Sequence, residues 1–251
     1  MSHKNTIMNI LAIGAHPDDI ELGCGGVLLK AVKQGHKIWM YTLTRGEVSG
    51  DPSRRALEQI ESAKFIRAST LWIDRFEDTK LTCNYELIRH IESAIKHSCA
   101  DVVYTHPMGD THHDHRAVAK ATLEAARFVS NILSYEFADT RAFKPHIYYD
   151  ISDVIDDKIE LLSIFSSQQH KYCITEMASK GLAQHRAAQS RLYPLVTSVE
   201  AFEVLKLGLG ADFRLLTSYN DNARRALKYN PLPQIFEWRR EVPQENPVLK
   251  G

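Results

Sequence analysis

Strand-like and helix-like segments alternate along the first half of this 251-residue chain, and that alternation leaves few folds open. Short apolar runs read as buried strands at 7–14, 37–43, 69–73 and 101–105. Between them, residues 21–34 read as a helix closed by Gly35, and Pro52 and Ser53 open another that runs to about Arg67. A third covers 84–97, with Leu87, Ile88, Ile91 and Ile95 on one face, and a fourth runs from His113 to about Ser130. The pattern implies an α/β fold with a mostly parallel sheet and right-handed crossovers.

Beyond residue 131 the alternation loosens. Strands are expected at 132–137, 146–150 and 197–206, and helices at 152–166 and 174–191. This gives a single domain over 1–207 and an extension over 208–251. The extension holds Pro231, Pro233, Pro243 and Pro247, yet Phe213, Leu215, Leu216, Ile235, Phe236 and Trp238 give it apolar surface to bury. It is expected to pack on the domain or on a neighbouring subunit.

Bulk charge excludes several function classes. Lys and Arg together number 31, as do Asp and Glu, so nothing favours a nucleic-acid partner or an anionic membrane surface. No apolar run is long enough to span a bilayer, and Met1 to Asn9 lacks the apolar centre of a signal peptide. Cys24, Cys83, Cys99 and Cys173 are scattered and read as free thiols, which points to a reducing, cytoplasmic setting.

Two clusters carry the chemistry: His16-Pro17-Asp18-Asp19 and His112-His113-Asp114-His115. Each follows a strand, at the sheet edge where open α/β folds bind ligands. A catalytic zinc takes three protein ligands and keeps a position for water. His16 and Asp19, three residues apart around Pro17, offer two ligands, and His115 is the natural third. Asp18 is then free to accept a proton from activated water. His112 is left as a cation or general acid near a developing oxyanion, with Asp114 to accept a hydrogen bond from it. His113 reads as a bystander, and His106 and Asp110 as either supports of the ligands or turn formers. The Gly23-Cys24-Gly25-Gly26 run lacks the G-x-G-x-x-G order of a dinucleotide site and reads as close helix–sheet packing. A nucleotide-dependent oxidoreductase is disfavoured on that ground.

Ala15-His16-Pro17-Asp18-Asp19-Ile20-Glu21 resembles the A-H-P-D-D-x-E signature of the LmbE-like, or PIG-L, zinc deacetylases. His112-x-Asp114-His115 resembles their H-x-D-H motif, and Thr44-Arg45-Gly46-Glu47 with Arg55 and Glu58 resembles the stretch after their second strand. The match is good over residues 8–130 and continues weakly to Phe202. The resemblance implies a Rossmann-like sheet flanked by helices on both faces, and removal of an N-acetyl group from an amino sugar or its conjugate. It assigns His16, Asp19 and His115 to Zn2+, Asp18 as general base, and His112 as a protonated partner oriented by Asp114. Arg55, Arg45 and Glu47 fall to substrate binding, and an oligomer of this chain is implied. His/Asp sites also accept other divalent metals.

The chain departs from the family pattern at Phe165, where a His often precedes Ser-Gln, and at Arg186-Ala187-Ala188, where glycines are common. The extension after 208 is also outside the usual pattern. These positions bear on which sugar is used. Two other readings remain at this point: an amidase of a thiol–sugar conjugate, and a metal-binding protein without turnover.

Overall fold

The computed structural model describes residues 7–192, 194–208 and 236–240. Among these, eight strands form one sheet: β1 (Asn9–Gly14), β2 (Lys37–Thr44), β3 (Thr70–Phe76), β4 (Val102–Thr105), β5 (Asn131–Tyr135), β6 (Ile147–Asp150), β7 (Val199–Leu207) and β8 (Phe236–Arg239). Their spatial order is β6-β7-β5-β4-β1-β2-β3-β8. The five central strands are parallel, while β7, β6 and β8 run antiparallel to their neighbours.

Helices cover both faces, as the sequence implies: α1 (Asp19–Lys33), α2 (Pro52–Ile66), α3 (Tyr85–Ser98), α4 (His113–Ala125), α5 (Ile155–Ser163) and α6 (Glu176–Ser190). Successive side chains of a strand point to opposite faces, so a central strand must be apolar throughout. In β1, Ile10 and Ala12 pack with Val27, Leu28 and Leu161, and Leu11 and Ile13 pack with Leu87, Ile91 and Val118.

The Gly-rich run does bring helix and sheet together. A Cβ on Gly23 would enter the Tyr135 ring of β5, and one on Gly26 would press on Ile151. Helix α1 is broken at Cys24 (φ −143°). Glu200 of β7 accepts from the backbone N–H of Gly26 (2.8 Å) and of Val27 (2.7 Å), capping the segment after the break.

Most boundaries agree with the sequence within a few residues, with one larger difference. Helix α4 ends at Ala125 rather than near 130, because Val129 N–H turns back to Ala126 and Asn131 already pairs with Val102. Sheet burial of Ile132 and Leu133 outweighs the helical tendency of the segment before them. Of the 208–251 extension, Gly208 and 236–240 are described, and β8 pairs with the edge of β3; its other expected features lie outside the described residues.

The order of the parallel strands places a topological switch between β1 and β4. The chain leaves β1 toward β2 and β3, then returns to build β4 and β5 on the other side. Loops leaving β1 and β4 therefore diverge, and the crevice between them is the place for a ligand.

Candidate active site

Both clusters meet in that crevice. His16, Asp18 and Asp19 leave β1, His106 and Asp110 leave β4, and His112 to His115 open α4. His16 Nδ1 lies 3.3 Å from His115 Nε2 and 3.4 Å from Asp19 Oδ2, and His115 Nε2 lies 3.5 Å from Asp19 Oδ1. Ligands at about 2.0–2.1 Å around a tetrahedral zinc stand roughly 3.3 Å apart, so this spacing fits a metal among the three.

The outer ring nitrogens explain why the inner ones face each other. His16 Nε2 stands 2.9 Å from Asp78 Oδ1 and 3.2 Å from Asp114 Oδ2, which holds the proton on that nitrogen. His115 Nδ1 stands 3.2 Å from Asp110 Oδ2, close enough for an ion pair but outside hydrogen-bond geometry. The inner nitrogens of His16 and His115 and the Asp19 carboxylate form a group of three that could hold a metal ion. Asp18, Asp19, Asp78, Asp110 and Asp114 are all buried here, with Arg55 as the buried guanidinium among them. Burial opposes charge on His16, but Asp114, Asp19 and Asp78 outweigh it and raise its pKa well above the ordinary value. Burial also opposes charge on Asp19, where His115 and His106 prevail and lower the pKa well below the carboxylate range.

His106 and Asp110 are supports rather than simple turn formers. The fully buried His106 ring stacks on that of His115 with centroids 3.9 Å apart, and its Nε2 accepts the Ala15 N–H at 2.9 Å. Burial, then the neighbouring His115, pushes its pKa down to about 4, so it is neutral. Asp110 Oδ1 also accepts the His112 N–H at 2.8 Å.

Asp18 sits at the N-cap of α1 with φ 98°, a left-handed backbone that costs a non-glycine residue on the order of 1–3 kcal/mol. Gln59 accepts its N–H at 3.2 Å, and Arg55 Nη2 lies 3.3 Å from its Oδ2. Burial and Asp19 raise the pKa of Asp18, against the pull of Arg55 and Lys171. Arg55 is 1% exposed, and its guanidinium also donates to Gly46 O (2.8 Å) and Pro17 O (2.7 Å). It is enclosed and ties the loop after β2 to the loop after β1.

Two further expectations change. Asp114 does not accept from the His112 ring among the described residues. Its carboxylate takes the N–H groups of Thr79 (2.8 Å) and Leu81 (3.0 Å) as well as His16. Instead His112 Nδ1 accepts the backbone N–H of Asp114 at 3.2 Å, which leaves Nε2 as the donor of a neutral ring. Burial, then His115 and His16, lowers the pKa of His112 from its ordinary value.

Glu47 is exposed and accepts the Asp78 N–H at 2.8 Å. Arg45 is half-buried, with its Nε enclosed and unpaired among the described residues. His113 is exposed and its Nε2 lies 2.5 Å from Thr79 O, at the rim. Asp78 was not singled out in the sequence. Its signal was its place just past the third strand, on the same sheet edge as the two clusters.

Comparison with known proteins identifies the family. A family model, PIG-L: GlcNAc-PI de-N-acetylase, matches residues 11–126. The "Uncharacterized deacetylase YaiS" of Escherichia coli is 35% identical over 168 residues, covering 61% of this chain and 87% of that one. The diacetylchitobiose deacetylase of Thermococcus kodakarensis is 27% identical over 194 residues, 65% of this chain and 71% of that one. The conserved protein TT1542 of Thermus thermophilus shares the fold with TM-score 0.73 and 24% identity, covering 82% of this chain and 98% of that one. This chain belongs to the PIG-L, or LmbE-like, family of deacetylases.

Proposed function

We propose that the protein is a zinc-dependent hydrolase that removes the N-acetyl group from an N-acetylated amino sugar or its conjugate. The observation that carries this reading is the convergence of His16 Nδ1, Asp19 and His115 Nε2 at 3.3–3.5 Å, next to a strained, buried Asp18. The relative named a diacetylchitobiose deacetylase supports the sugar.

His16, Asp19 and His115 would hold the metal. When bound there, a divalent cation acidifies water and polarises a carbonyl oxygen. Asp18 takes the proton of the attacking water as oxygen adds to the acetyl carbon. His112 donates from Nε2 to the oxygen on which negative charge develops. The carbon–nitrogen bond then breaks, Asp18 returns its proton to the leaving amine, and acetate and the free amino sugar separate. Arg55 holds the Asp18 carboxylate in place throughout, and Asp114 fixes the His16 ring rather than His112.

The test is acetate release by zinc-loaded protein across N-acetylglucosamine, its phosphates, chitobiose and thiol–sugar conjugates, with Asp18→Asn beside it. We expect release by wild type and a loss of about a hundredfold or more in the variant. Full turnover by Asp18→Asn would remove the base assignment. One zinc per chain with no product from any substrate would instead support a metal-binding protein without turnover.

A further inference from the structure

Resting on that reading, we propose that Gln59 is a positioning residue: with Arg55 it holds the Pro17–Asp18 peptide at both ends, and so fixes the backbone from which the Asp18 carboxylate projects. The carbonyl end, Pro17 O, accepts from Arg55 Nη2 at 2.7 Å, and the amide end, Asp18 N–H, donates to Gln59 Oε1 at 3.2 Å. Arg55 and Gln59 stand four residues apart on α2, so one helix face reaches both ends of the same peptide. Beyond the peptide, the Asp18 carbonyl accepts the Leu22 N–H at 3.0 Å.

The Gln59 amide fits in one orientation only. Its Nε2 donates to Glu21 Oε1 at 2.6 Å, and Ser62 Oγ donates to the same oxygen. Gln59, Glu21 and Ser62 are all fully buried, so bulk water cannot replace a lost partner. With the amide reversed, two donors would meet at Asp18 and two acceptors at Glu21. The Gln59 oxygen is therefore aimed at the Asp18 N–H by contacts inside the packed interface of α1 and α2.

The backbone held in this way is an unfavourable one. Asp18 has φ 98° and ψ −24°, which a residue with a Cβ keeps only where its surroundings over-determine it. Released at the amide end, the peptide would turn to find the N–H a new partner, and the Asp18 side chain would turn with it. His16 and Asp19 have holds of their own. Asp19 Oδ2 accepts the His16 N–H at 2.7 Å, and Asp78 and Asp114 flank His16 Nε2. Loss of Gln59 should therefore harm proton transfer by Asp18 while the metal ligands keep their places.

The experiment compares zinc-loaded wild type with Gln59→Met, the milder Gln59→Asn, and a double variant, Gln59→Glu with Glu21→Gln. The double variant keeps an oxygen for the Asp18 N–H and re-forms the bond between the two side chains with donor and acceptor exchanged. Hydrogen exchange of the Asp18 amide and zinc affinity by chelator competition, neither of which needs turnover, are read beside kcat and KM for acetate release. We expect the Asp18 amide of Gln59→Met to exchange about tenfold or more faster. Its kcat should fall about ten- to hundredfold, as suits a displaced carboxylate, with KM and zinc affinity held within about twofold. Gln59→Asn should show the same split to a smaller degree, and the double variant should recover both the amide protection and most of kcat. Unchanged kcat, unchanged exchange of the Asp18 amide, zinc affinity and KM worsening in step with kcat, or a double variant as slow as Gln59→Met would overturn the assignment. If the amide and zinc results follow the expected pattern but wild type releases no acetate from any sugar, the hold of Gln59 on Asp18 stands and the deacetylase reading falls.

Discussion

His16 Nε2 and Asp78 Oδ1 stand 2.9 Å apart, joining the loop after β1 to the loop after β3. The contact points away from the inner nitrogen, so it acts on His16 from behind. In the proposed reading it keeps a proton on Nε2 and so leaves Nδ1 for the metal. Asp78→Asn should therefore weaken metal retention about 10–100-fold, as loss of such outer partners does elsewhere. Chelator competition on the refolded variant measures this, and unchanged affinity would remove the role given to Asp78.

Arg55 and Asp18 form a buried pair, with side chains 1% and 6% exposed. Removing one partner leaves a charge enclosed without compensation. Arg55→Met should cost about 3–5 kcal/mol in urea unfolding. Adding Asp18→Asn to that variant should recover part of the loss, because the orphaned charge is gone. A strictly additive pair of losses would show that Arg55 stabilises through Gly46 and Pro17 alone.

Gly23 faces the Tyr135 ring without room for a methyl group. Gly23→Ala should destabilise the protein by about 1–3 kcal/mol through overpacking. Gly35, with nothing within 4 Å, serves as the spatial control, although its φ of +86° adds backbone strain. Thermal unfolding of Gly23→Ala at wild-type Tm would place the helix farther from the sheet than described.

The pH dependence of stability has a source outside the site. His90 Nδ1 lies 2.7 Å from Asp74 Oδ2, and that hydrogen bond, against burial, raises the His90 pKa. A histidine raised on folding stabilises fully below its unfolded pKa of about 6.5, and the gain is lost as pH rises through the higher folded value. Wild type should therefore lose stability relative to His90→Gln between mildly acidic and alkaline pH. Parallel urea curves for the two proteins across that range would contradict it.

The fold was legible because its signals are local: apolar runs for parallel strands, Gly35 and Pro52 at helix ends, and motif residues just past strand ends. The ligand set could be grouped because His16 and Asp19 share one loop and His115 opens a helix. What was hidden depends on where side chains turn after the chain has folded. Arg55 looks like a surface or substrate arginine in sequence, yet the Gly46 and Pro17 carbonyls converge on it. Asp114 sits two residues from His112, but its carboxylate turns to Thr79, Leu81 and His16, partners 33 to 98 positions away. Asp78 was missed for the same reason, since its partner lies in another loop.

One turn of α2 carries both Arg55, which holds the Asp18 loop, and Glu58, which holds Ser166 and Ser167. The Asp18 loop and the stretch after Phe165 are thus anchored to the same short piece of scaffold by separate side chains. A change in the stretch held by Glu58 leaves the Arg55–Asp18 tie untouched, because the two anchors share a helix but no side chain.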